Sequence, residues 1–264
     1  MKKQLYFAHG NGFPSPCYRQ ILLPLEEKYD CCYIDRVGHN SQYPVTENWR
    51  CLVDEVIDSI KEQASQPVIA VGHSLGGVLI LLAAVEQPAL FSAVILLDSP
   101  LLGRLKSSLV RLSKAFGMID KVTPASRTRA RRQHWQTREQ VISYLKSRAL
   151  FKTFTDACLQ DYIEYGMQQN ELGYSLRFDR QIEYQIYRTI PHILREHEGR
   201  LHVPTFLIYG NKSNVVGQME LRYMKKYYGI GHVETKGTHM FPMEYPQATA
   251  NLIMAVADKL LIAR

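Results

Sequence analysis

The chain has 264 residues, 46% of them hydrophobic and 22% charged. This composition excludes global disorder and allows one sizeable α/β domain with an insertion, or two small domains. The net charge of +7 is concentrated: residues 104–152 carry thirteen Lys or Arg against Asp120 and Glu139, and the rest of the chain is acidic overall. That distribution, with no nucleic-acid module in view, argues against a nucleic-acid partner.

No stretch approaches the roughly 18 uninterrupted apolar residues of a membrane-spanning helix. The opening "MKKQLYFAHGNGF" is too broken for a signal-peptide core and reads as a strand. Cysteines 17, 31, 32, 51 and 158 show neither CxxC nor zinc-type spacing. We expect free thiols and a reducing, cytoplasmic location.

Taken in chain order, "QLYFAHG" (4–10) reads as a strand, followed by a helix over "YRQILLPLEEKY" with a break near Pro24. "CCYIDR" (31–36) precedes a helix in "TENWRCLVDEVIDSIKEQ", where Thr46 is a candidate N-cap. "PVIAVGHS" (67–74) feeds the helix "LGGVLILLAAVEQ", and "SAVILLDSP" (92–100) closes the first half. From Leu101 to about Arg200 strand-like runs vanish. Amphipathic stretches such as "REQVISYLKSRALFKTF" and "TDACLQDYIEYGMQQ" predict a mostly helical insertion. "VPTFLIYG" (203–210) and "GHVETKG" (231–237) then predict two further strands, each followed by a helix. Near-continuous apolar strands alternating with helices predict a parallel six-stranded sheet covered on both faces. The expected core is 1–100 with 201–264, and the expected cap is 101–200.

Gly72-x-Ser74-x-Gly76 falls where a strand turns directly into a helix. A serine there sits on a sharp, exposed turn, and the N–H of Leu75 at the helix start can face a developing oxyanion. "HGNGF" (9–13) closes the neighbouring strand. The N–H of Asn11, or of Gly12, is the candidate second donor, with His9 holding the turn.

Together "HGNGF", "DRVGHNS" (35–41), "GHSLGG" (72–77), "LLDSP" (96–100) and "GTHMFPMEYP" (237–246) resemble the α/β-hydrolase superfamily in order and spacing. The resemblance covers 1–100 and 201–264, and it implies an α/β-hydrolase fold with an inserted cap. It implies Ser74 as nucleophile and His239, on the loop after the last strand, as general base. Many relatives place the acid just after the fifth strand, where this chain has Ser213 in "YGNKSNVV". Others place it after the preceding strand, where this chain has Asp98. Asp98 is therefore the candidate acid; a distant carboxylate, or a dyad supported by Ser213 or Asn214, stands as the alternative. Because the chain enters directly on the His-Gly strand, the antiparallel hairpin that usually precedes it in the superfamily is not expected here.

The implied activity is hydrolysis of a carboxylic ester or thioester through an acyl-enzyme, with no metal or organic cofactor. The same triad would also serve a C–C bond hydrolase, a cofactor-free lyase or an acyltransferase, and the fold alone would serve a non-catalytic binding protein. The substrate is expected to be a small acyl molecule. The arginine-rich "RTRARRQHWQTR" (127–138) reads either as a solvated helix face or as a cap drawing in an anionic partner. That partner would be a long-chain carboxylate, a phosphorylated acyl carrier or a membrane surface. The sequence leaves the oligomeric state open.

Overall fold

The structure is a computed structural model and describes residues 2–262. Its frame is set by six short runs that bury themselves as parallel strands: β1 (Gln4–Ala8), β2 (Asp30–Tyr33), β3 (Val68–His73), β4 (Phe91–Leu97), β5 (Thr205–Gly210) and β6 (Gly231–Thr235). They pair in the order β2-β1-β3-β4-β5-β6, every pair parallel. The central strands β1 and β3 are buried at every position, as expected for a sheet covered on both sides. The edge strands are different: β6 alternates half-buried and exposed residues, and β2 begins exposed.

The two-residue repeat of β1 divides the core. Leu5 and Phe7 face a layer containing Ile21 and Leu25 of the helix Arg19–Lys28, and Ile253 and Ala257 of the helix Pro246–Ile262. Tyr6 and Ala8 face the opposite layer, with Leu52 and Val56 of Arg50–Gln63 and Leu79 of Leu75–Glu86. The helix Leu75–Glu86 is buried from Leu75 through Val85, which is why its sequence is apolar all round instead of striped.

Several sequence expectations need correction. The helix Arg19–Lys28 runs through Pro24 without stopping. Burial of Ile21, Leu22 and Leu25 on either side outweighs the one hydrogen bond that proline removes. Thr46 does not directly precede the helix, although its Oγ1 accepts Cys51 N–H in the first turn at 3.3 Å. A tight turn at Glu47–Trp49 intervenes, with Asn48 and Trp49 at positive φ, and the helix starts at Arg50.

The insertion between β4 and β5 is helical at Arg104–Ala115, Arg138–Ser147, Asp156–Tyr165 and Arg180–Arg188. It also holds a small antiparallel sheet of His134–Trp135, Gly173–Leu176 and Met167–Asn170. These strands ("MQQN", "GYSL") are polar and short, so no apolar run announces them. The helix read through "MQQ" ends at Tyr165. The arginine-rich stretch is not one solvated helix either. A short helix ends at Arg129, Trp135 is buried, and Arg131 pairs with the buried Glu183 at 2.5 Å.

The cysteines are free thiols, with Cys17 and Cys158 buried. Among the described residues, no helix is long and apolar enough to cross a membrane.

Candidate active site

β3 ends in a turn so abrupt that Ser74 takes φ 52° and ψ −112°, outside the regions ordinary side chains occupy. Strain of this kind costs roughly 1–3 kcal/mol and persists only where the surroundings enforce it. Here they do. Ser74 N–H donates to Leu97 O at 2.9 Å, and Gly76 N–H donates to His9 O at 3.1 Å, which ties the turn to both neighbouring strands. The glycines are required by close approach. A Cβ on Gly76 would lie 2.2 Å from the Ala8 carbonyl oxygen, and one on Gly72 would lie 2.5 Å from the Gly76 backbone. Leu75 opens the following helix, so its N–H has no acceptor within that helix.

The carboxyl end of β4 carries Asp98, fully buried and at φ 45°. Its Oδ1 accepts from Gly210 N–H at 3.0 Å. Its Oδ2 accepts from Ser213 Oγ–H at 2.5 Å and from His239 Nδ1–H at 2.7 Å. The structure therefore brings Asp98 and His239 together, and it places Ser213 against the acid. The Ser213 hydroxyl is aimed by the chain itself, because its oxygen accepts from Val215 N–H at 3.0 Å.

The His239 loop is braced from below. His73 Nε2–H donates to the His239 carbonyl at 3.0 Å, and Tyr18 O–H donates to His73 Nδ1 at 2.7 Å. The same phenol oxygen accepts Gly10 N–H at 3.1 Å, linking the His239 loop to the "HGNGF" turn. Burial lowers His73 to about 3, so its imidazole is a neutral strut. His9 is lowered to about 4, also by burial; its Nδ1–H donates to Gly10 O and its Nε2 accepts Val37 N–H. Glu244 accepts from Thr238 N–H at 3.0 Å and from Thr238 Oγ1–H at 2.5 Å, fixing the residue before His239. Sequence reasoning missed Tyr18 and Glu244 as bracing groups, and it named Ser213 only as the support of a dyad. The signal was weak, since Tyr18 meets His73 only through the fold, and Glu244 meets Thr238 through a turn that no pattern marks.

Ser74, Leu75, Asn11 and His239 share the wall of one cavity of about 400 Å³. The rest of its lining is mostly apolar, with Trp49 and Val78 from the core side and Leu102, Val110, Ile186 and Leu194 from the insertion. Asn11 Nδ2–H donates to Glu183 O at 3.1 Å, so its side chain ties the turn to the inserted segment. The competing histidines serve elsewhere. His39 accepts Asp179 N–H, His192 lies against Lys114 and Glu47, and His232 lies within β6. A carboxylate holding one imidazole nitrogen, with a strained serine on the same apolar cavity, is an arrangement able to move a proton between a hydroxyl and an imidazole.

Residues 5–252 match the family model described as "Alpha/beta hydrolase family". An uncharacterized hydrolase of Bacillus subtilis (strain 168), YugF, is 25% identical over 226 residues, covering 81% of this chain and 74% of that one. The monoglyceride lipase of Rattus norvegicus is 26% identical over 131 residues, 47% of this chain and 43% of the lipase. Among solved structures, E-2-(acetamidomethylene)succinate hydrolase superposes with a TM-score of 0.77 at 21% identity, covering 97% of this chain and 91% of that one. The chain belongs to the alpha/beta hydrolase family.

Proposed function

We propose that the chain is a serine hydrolase that cleaves a carboxylic ester or thioester bearing an apolar acyl group. The observation that carries this reading is the 2.7 Å hydrogen bond from His239 to buried Asp98, with Ser74 and His239 on one apolar cavity. Ser74 Oγ attacks the carbonyl carbon while His239 takes its proton. Asp98 fixes the imidazole tautomer and stabilises the imidazolium. The N–H groups of Leu75 and Asn11 receive the oxyanion.

Collapse of the tetrahedral intermediate breaks the bond to the alcohol or thiol, which leaves with the proton from His239. Water then gives a proton to His239 and attacks the acyl-Ser74 carbonyl, releasing the acid and restoring the serine. The core at 1–100 and 201–264 supplies these groups, and the segment 101–200 acts as the cap that walls the acyl pocket.

The test is turnover of p-nitrophenyl and acyl-CoA substrates of graded chain length. Turnover should rise from acetyl toward medium chains as apolar surface fills the cavity. Ser74→Ala should lower it by about 10⁴-fold or more. Turnover unchanged in Ser74→Ala would refute the reading.

A further inference from the structure

The helix Arg104–Ala115 is built inside out. Leu105, Leu109 and Leu112, with Phe116 at its C-cap, recur at spacings of four and three and so lie on one stripe. That stripe faces solvent: the four residues are 70%, 63%, 54% and 70% exposed. The opposite face, turned to the protein, carries Ser107, Val110 and Lys114. Ser107 is buried, and Val110 lines the cavity. Lys114 Nζ donates to the Ile190 carbonyl at 2.6 Å and pairs with Glu47. A helix packed only for its own fold would place its leucines inward and its lysine outward.

The ridge continues beyond the helix. Met118 is 47% exposed, and Val122 is 60% exposed while also lining the cavity. A residue that both faces solvent and lines the cavity marks its mouth, so the apolar ridge runs up to the entrance. The surroundings are cationic. Arg104 and Arg111 flank the stripe on the exposed surface, Lys106 flanks its other side, and Lys121 follows. No acid occurs from 104 to 119. Arg104 and Lys106 also reach Glu198 and Glu220, which leaves Arg111 and Lys121 as the less engaged charges.

We propose that this ridge docks on an anionic lipid surface, with Leu105, Leu109, Leu112 and Phe116 entering the headgroup–acyl boundary. An apolar stripe flanked by cations is the pattern of an interfacial helix. A lipid surface accounts for both features, apolar depth and surrounding negative charge, whereas a second copy of the chain would bring the same cations against each other. The consequence that an amphiphile's acyl chain passes from the lipid past Val122 to Ser74 rests on the ester-hydrolase reading; the docking does not.

The test is flotation of the full chain with vesicles of equimolar phosphatidylglycerol and phosphatidylcholine, beside pure phosphatidylcholine vesicles. Hydrolysis of water-soluble p-nitrophenyl acetate is measured on the same samples. The chain should float with the anionic vesicles and far less with the neutral ones. Leu109→Ser/Phe116→Ser should lower the partition coefficient by about tenfold or more, because apolar surface no longer enters the lipid. It should leave acetate turnover unchanged, since neither side chain lines the cavity.

Docking is overturned if the wild type fails to float while acetate turnover is intact, or if the double variant floats as well as the wild type. It is also overturned if the wild type is instead a dimer in lipid-free buffer that the double variant dissociates. Flotation with no acetate turnover would leave the docking standing and count against the ester-hydrolase reading alone.

Discussion

Strands β4 and β5 lie side by side and end at the same place, yet one ends in a carboxylate and the other in a hydroxyl. Asp98, at the end of β4, is fully buried and reaches His239 directly. Ser213, just beyond β5, touches the acid, and its hydroxyl bonds run to Asp98 and to the Val215 amide, not to the imidazole. The two strand ends therefore act as complements. One supplies charge, and the other supplies a donor that holds the charge in position. A buried carboxylate is costly unless its oxygens are bonded, so a neutral donor is the compatible neighbour. A second carboxylate at Ser213 would put two negative charges within contact distance.

The largest effect is expected at the charged strand end. Asp98→Asn should keep the bond from Gly210 N–H but present an N–H to His239, favouring the wrong tautomer. Turnover should fall by about 10⁴-fold with the fold intact. Steady-state kinetics on a p-nitrophenyl ester checks this, and turnover within a few-fold of wild type would move the acid elsewhere.

At the hydroxyl end the effect should be smaller. Ser213→Ala removes a hydrogen bond to a charged oxygen, an interaction of about 1.5–3 kcal/mol. We expect kcat to drop about tenfold with KM little changed, and Ser213→Thr to recover most of the loss. Unchanged kcat in Ser213→Ala would mean Gly210 and His239 hold Asp98 unaided.

The smallest effect is on stability, and it concerns the neutral imidazoles that hold the "HGNGF" turn and the His239 loop. His9 and His73 are lowered by burial to about 4 and about 3, against an ordinary value of 6.5. Between those limits the unfolded chain binds protons that the native chain does not. Their contribution is therefore fully present above about pH 6.5 and is lost progressively as pH falls. Glu55 works in the opposite direction. Burial raises it to about 7, so the native chain holds its proton more tightly than the unfolded chain. The melting temperature should fall from about pH 6.5 to 4.5, and Glu55→Gln should steepen that fall. A melting temperature flat across this range in both proteins would contradict the assignment of His9 and His73 as neutral struts.

Much of this was legible in the sequence because local rules and global burial agree in the core. The apolar runs of β1, β3 and β4 announce a sheet covered on both faces, and the glycines around Ser74 announce a turn with no room for a Cβ. Asp98 could be nominated only indirectly, by the absence of an acid after "LIYG" and by the resemblance to relatives whose acid follows the preceding strand, since its bond to His239 spans 141 positions. The strands of the insertion were not legible. "MQQN" and "GYSL" have no apolar periodicity, and their pairing depends on a turn at Asn170–Gly173. Arg131 was likewise hidden among neighbouring arginines. Only packing distinguishes it, because within that cluster it is the arginine that meets the buried Glu183. The outward leucines of Arg104–Ala115 read as an ordinary amphipathic stripe, and which way that stripe faces is set by tertiary structure.

The central claim is that Ser74 is an activated nucleophile, and covalent capture tests it most directly. Folded protein treated with a fluorophosphonate and digested for mass spectrometry should carry one phosphonyl adduct, on the peptide containing Ser74, and Asp98→Asn should form it far more slowly. Absence of an adduct in folded protein, or an adduct on another residue with Ser74 unmodified, would contradict the account.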